Sequence, residues 1–154
     1  MTYRIQGLAP DEFRPLFAMG DEQLRERLAM RVIASGPGFP CRVSLEEAGD
    51  DEQLILINHV SHDVATPFRT SHAIYVREEA VKAPVYDDQL PPLLDRRRMS
   101  LRAFDTAGML VDGVVAEPGE ADAAIRAFFE RSDVSEIHAH TSAYGCFLAK
   151  IERS

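Results

Sequence analysis

Glu136-Ile-His-Ala-His-Thr-Ser-Ala-Tyr-Gly-Cys146, continued by Phe147-Leu-Ala-Lys-Ile-Glu152, is the stretch on which the fold turns. Glu136 to His140 and Cys146 to Glu152 read as two strands joined by Thr141-Ser-Ala-Tyr-Gly145, a terminal hairpin. Side chains alternate along a strand, so Glu136, His138 and His140 share one face while Ile137 and Ala139 take the other. A face carrying two imidazoles, backed by a face that can bury against helices, describes a sheet that is apolar on one side only. Immediately upstream, Ala121, Ala124, Ile125, Phe128 and Phe129 fall at i, i+3, i+4, i+7 and i+8, one apolar stripe on a helix spanning about 120–131.

Further out, Met99 to Asp105 and Met109 to Glu117 read as a second hairpin about Thr106-Ala-Gly108. Gln53 to Val60 and Ala73 to Arg77 are buried strands, and Thr2 to Gly7 is a first strand. Pro10 opens a short helical turn, and Asp21 can cap a second helix through about Leu28. Ala29 to Ala34 reads either as its continuation or as a strand. Ser44 and Glu47 match a capping box, which predicts a helical turn over 45–48. Strands mostly follow strands. The expected fold is therefore α+β, a mainly antiparallel sheet with a few helices packed on one face. No repeat or Gly/Ser linker divides residues 1–154, so one domain is expected.

The 154 residues include 17 Lys and Arg against 25 Asp and Glu, a net charge of −8. A surface of that sign repels phosphate backbones, so nucleic acid and anionic membranes are excluded as general partners. The N-terminal stretch has no apolar core that would make a secretion signal, which points to the cytoplasm and to reduced cysteines. Oligomeric state and cofactor identity are left open.

Three groups of side chains carry potential chemistry. His138 and His140 can chelate one metal ion with a further ligand such as Glu136, Cys41 or Cys146, or serve as bases. They can equally be satisfied polar groups at a sheet rim. Cys41 follows the rigid Gly36-Pro-Gly-Phe-Pro40 loop and precedes Arg42, whose charge favours a thiolate, so Cys41 can act as a nucleophile with an imidazole base. The alternative is a small buried hydrophobe. Cys146 joins the histidine face if His140 pairs opposite it, and turns away if His140 pairs opposite Phe147. Arg42, Arg69 and Arg102 can converge on an anionic group, or each can pair with a local acid. His59, His62, Asp63 and His72 read as a solvated loop.

Gly36-Pro-Gly-Phe-Pro-Cys-Arg-Val-Ser-Leu45, Pro67-Phe-Arg69 with Ile74-Tyr-Val-Arg-Glu78, Ser100-Leu-Arg-Ala-Phe104, and His138-Ala-His140 with Gly145-Cys146 resemble the blocks of a bacterial family catalogued as domain of unknown function 1203. The resemblance runs from about Phe13 to Arg153. It implies a small cytoplasmic bacterial protein and no particular reaction. Its blocks take in Cys41, Arg42, Arg69, Arg102, His138, His140 and Cys146, and leave out His59, His62 and His72.

The functional expectation is a small-molecule site for an anionic ligand, formed by the Gly-Pro-Cys loop and the His-x-His hairpin. Cys41, His138 and His140 would be its reactive groups, with Arg42, Arg69, Arg102 and Cys146 binding. Whether the site is catalytic stays open. The competing expectations are a metal-binding domain without catalysis and a partner-binding module without a ligand.

Overall fold

Alternation of apolar and polar side chains sets most of the architecture. In the computed structural model, which describes residues 2–154, nine strands form in chain order. They are β1 (Tyr3–Gln6), β2 (Ala29–Ile33), β3 (Gln53–His62), β4 (Thr70–Arg77), β5 (Val85–Asp87), β6 (Met99–Phe104), β7 (Leu110–Ala116), β8 (Glu136–Thr141) and β9 (Phe147–Arg153). Three α-helices accompany them: α1 (Asp21–Glu26), α2 (Pro92–Asp95) and α3 (Ala121–Phe129). Met1, at the start of the stretch read for a secretion signal, lies outside the described residues.

The strands divide between two sheets. The larger has the order β5-β1-β9-β8-β6-β7 and the smaller β2-β3-β4. Every neighbouring pair of strands is antiparallel. The mainly antiparallel α+β expectation holds, with the sheet split in two. Leu93 and Leu94 of α2 and Ile125, Phe128 and Phe129 of α3 share a core with Leu101, Ile137, Ala139 and Ile151 of the larger sheet. Helix α1 belongs instead with the smaller sheet, where Leu24 packs with Ile55, Ile74 and Val76. Helices gathered on one face therefore describe only part of the molecule.

The apolar residues of β6 and β8 are consumed by that first core. Their alternate residues, Ser100, Arg102 and Phe104 on β6 and Glu136, His138 and His140 on β8, stand opposite one another across the ladder. The smaller sheet approaches this polar face, with rings of β3 and β4 meeting rings of β8. Among the described residues, no helix is long and apolar enough to cross a membrane.

The helical turn expected over 45–48 does not form. The Cys41 N–H donates to the Glu46 carbonyl and Pro40 bridges Glu47, which closes a tight antiparallel loop. Leu45 takes a left-handed φ of 54°, a conformation that cannot continue a helix. Glu47 accepts from the Phe39 N–H instead of completing a capping box. Ala29 to Ile33, ambiguous in sequence, is a strand, because Leu28 at φ 54° breaks the chain away from α1.

Where β1 ends, Gly7 lies flat against this loop, and a Cβ there would overlap the Val43 carbonyl. Both partners are backbone, so neither can yield cheaply. Gly7→Ala is expected to lower stability by about 1–3 kcal/mol, as overpacking does. Gly113→Ala, where the nearest atom to the added methyl lies at an ordinary 3.5 Å, should change it little. Thermal unfolding of the two variants side by side measures the contrast.

Candidate functional site

All five histidines of the chain enter one seam between the sheets. His59, His62 and His72 come from β3 and β4, and His138 and His140 from β8. His59 and His72 are direct cross-strand partners. The His62 ring meets His138 edge-on at 4.9 Å, and His72 meets His140 at the same separation. His138 and His140 lie near-parallel at 6.4 Å. Phe104 and Phe147 fill the gaps, Phe104 at 4.0 Å from His62 and Phe147 at 5.5 Å from His138.

Two irregularities aim these rings. The β3–β4 ladder slips between Val60 and His62, and the β8–β9 ladder slips between Ala139 and His140. A bulge turns a side chain that strict alternation would direct elsewhere. The second slip also decides the register at the hairpin end. His140 pairs opposite Phe147 and not opposite Cys146, while the Cys146 thiol lies within electrostatic range of Arg42.

Hydrogen bonds fix the tautomers, because a carbonyl oxygen can only accept. His62 Nε2–H donates to the Gly108 carbonyl at 3.0 Å, and His140 Nδ1–H to the Gly145 carbonyl at 2.9 Å. His138 Nε2 lies 2.9 Å from Glu136 Oε1. His62 Nδ1 faces the same oxygen at 3.7 Å. Lys150 Nζ is 3.5 Å from Glu136 Oε2. The hydrogen bond from His138 holds the Glu136 carboxyl below the usual carboxylate range. Two ring nitrogens, His138 Nδ1 and His140 Nε2, are buried with no partner. His62, Glu136 and His138 each bring a ligand atom within 4.8 Å of the others, so this cluster can hold a metal ion.

The cations are distributed unevenly. Arg42 is 3% exposed, donating from Nε to the Phe147 carbonyl at 2.7 Å and from Nη1 to the Pro40 carbonyl at 2.6 Å. Arg102 donates to Ser100 Oγ at 3.3 Å. Neither has a carboxylate partner among the described residues, and burial pulls both guanidinium pKa values down, that of Arg42 to about 10. Arg69 differs, being exposed and paired with Asp63 at 3.2 Å. Cys41 is fully buried with Phe13, Leu16 and Ile74, and its Sγ accepts from the Ser44 and Arg77 N–H groups. Those bonds hold the sulfur in the smaller sheet's core, and none reaches an imidazole. Both cysteines are free.

His59, His62 and His72 are the residues that sequence reasoning missed. The one signal available was His59-x-x-His62 at the end of an apolar run, read as a strand entering solvent. The strand instead continues through His62, and its partner begins at Thr70.

The molecule is thus an antiparallel two-sheet α+β protein with a buried histidine seam. The chain belongs to the family described as "Protein of unknown function (DUF1203)", whose model matches residues 38–153. Comparison with curated proteins and with solved structures gave no match.

Burial pushes the His140 pKa down to about 3, and it also lowers those of His59 and His72. Each ring binds its proton more weakly folded than unfolded, where the pKa is about 6.5. Stability is therefore full above about pH 6.5 and falls as pH drops toward the folded values. His140 alone should cost about 1 kcal/mol between pH 7 and 5.5. Denaturant unfolding at the two pH values measures this, and His140→Asn, which keeps a donor for Gly145, should reduce the slope. In a second test, an alkylating reagent should modify the partly exposed Cys146 in the native protein and Cys41 only after unfolding.

Proposed function

We propose that the protein binds a small molecule through an oxyanion, a carboxylate or phosphate, captured beside Arg42. The observation that carries this reading is the buried guanidinium with no carboxylate to balance it. Surface arginines such as Arg126 and Arg131 are matched by acids. An uncompensated buried charge is costly, and an anionic ligand removes that cost. Arg42 lines a cleft of about 390 Å³ together with His59, Ser61, Phe147 and Lys150. That volume suits a small metabolite, and the lining supplies convergent polar groups. Arg102 reinforces the field, since its charge and that of Arg42 both bear on His72.

A larger hollow of about 820 Å³ lies on the smaller sheet, lined by Leu28, Met30, Ile33 and Leu56 among others. It lacks the histidines and the unpaired buried charge, so the smaller cleft is the better site for an anion. In this reading Arg42 is the anchor, with His59 and Lys150 beside it. Arg69 and Cys41 serve the surface and the core.

Thermal shift with phosphate, sulfate, pyruvate, succinate and citrate, against chloride at equal ionic strength, tests the reading. At least one oxyanion should raise the melting temperature in a saturable way. Arg42→Lys, which keeps the charge but loses the fork, should weaken that effect about tenfold or more. A panel that behaves like chloride throughout would remove the proposal.

A further inference from the structure

We infer that His62, Glu136 and His138 form a binding site for one divalent transition-metal ion that ties the two sheets together. The inference uses residues other than the Arg42 anchor and stands independently of the anion reading. It begins from a mismatch. His62 Nε2 is committed to the Gly108 carbonyl, so a neutral ring turns the Nδ1 lone pair toward Glu136 Oε1, 3.7 Å away. A lone pair facing an ionised carboxylate is repulsive unless a cation, either a proton or a metal, lies between them.

The spacing favours a shared ion. Donors about 2.0–2.2 Å from a tetrahedral or octahedral metal lie about 3.0–3.5 Å from one another. The separations of 2.9 Å and 3.7 Å around Glu136 Oε1 bracket that range. All three donors already sit within 4.8 Å, so sub-ångström to about 1 Å adjustments complete the set.

The support around the ligands is also of the right kind. Metal-bound histidines hold their second nitrogen on a carbonyl or carboxylate, as His62 does on Gly108. Gly108 sits in a tight turn at φ 83°, and its oxygen also accepts from Thr66 Oγ1. His62 reaches the seam through the β3 bulge. His138 is 1% exposed and faces Glu136 Oε1 through Nε2, the nitrogen that would ligate with the ring's proton moved to Nδ1. Lys150 beside Oε2 leaves Oε1 as the ligating oxygen, so Glu136 binds through one atom. Two imidazoles and one carboxylate select Zn²⁺, Fe²⁺ or Mn²⁺ over Mg²⁺ and Ca²⁺, which prefer all-oxygen shells. Three protein ligands leave coordination positions for water or a small molecule.

The chain, stripped with a chelator and dialysed against Zn²⁺, with Mg²⁺ as control, gives the test. One equivalent of Zn²⁺ per chain is expected, with a rise of several degrees in melting temperature that Mg²⁺ does not give. His62→Gln should lower the affinity at least tenfold while leaving the far-ultraviolet circular dichroism unchanged. Glu136→Asp should do the same, which keeps the test open should either variant fold poorly. His59→Gln, on the same strand but outside the triad, should keep full binding. Zn²⁺ titration in buffer without added oxyanion reads the metal site alone, so a failure of the anion reading and a failure of the metal site are told apart. Substoichiometric Zn²⁺ with no thermal shift at about 0.1 mM overturns the inference. Binding that survives both triad substitutions overturns it as well, because the ion would then sit elsewhere.

Discussion

One buried guanidinium joins the two halves of the structure. The Arg42 main-chain N–H donates to Tyr75 on β4, in the smaller sheet. Its side chain donates to the Phe147 carbonyl on β9, in the larger sheet. The Cys41–Leu45 loop is therefore pinned on both sides, and the distance between the sheets is set by one planar fork. Gly7 lets the end of β1 close on the same loop from a third direction. Placing a charge at this point costs free energy that an apolar residue would not. It also gives direction, because a guanidinium holds two carbonyls at fixed angles where a leucine would allow sliding.

That spacing leaves room between the sheets for the histidine rings and for the cleft beside Arg42. His138 and His140 on the polar face of the larger sheet are buried, so their ring nitrogens need partners within the protein. The structure resolves this with carbonyls. His62 and His140 each hand one N–H to a glycine carbonyl at a turn, and His138 is held by a carboxylate. Two turns, at Gly108 and Gly145, thus serve as orienting groups for rings on other strands. Both glycines have positive φ, at 83° and 73°. The seam is consequently rigid in its donors, while His138 Nδ1 and His140 Nε2 are left without partners.

Most of the strands were legible in the sequence because burial on one face leaves a period of two. The Glu136–His138–His140 face and the Ile137–Ala139 face follow from that period alone, and α3 follows from its single stripe. Three things were not legible. The split into two sheets depends on which strand edges meet, and no local pattern encodes that. The turn at Leu45 depends on the Cys41–Glu46 pairing, which overrides a capping signal that is real only if a helix follows. The role of His62 depends on a bulge, which breaks the very alternation from which faces are read. Cys41 stands out in the sequence through its rigid loop, yet its sulfur is buried in the smaller sheet's core and it is Arg42, one residue further on, that reaches the larger sheet.

Charge balance connects the two ends of the seam. Glu136 is the one carboxylate among the metal ligands, and Lys150 already lies against it. A divalent ion placed there meets one negative charge, while Arg42 and Arg102 contribute two more positive charges nearby with no acid of their own. In the proposed reading an anion offsets that excess, and the favourable interaction grows with each cation present. Linkage makes the relation reciprocal: any anion stabilised by the ion must tighten the ion by the same factor. Burial holds His59, His72 and His140 toward the neutral form. They therefore add no further positive charge and leave their lone pairs available, so both ends can be filled within one narrow gap.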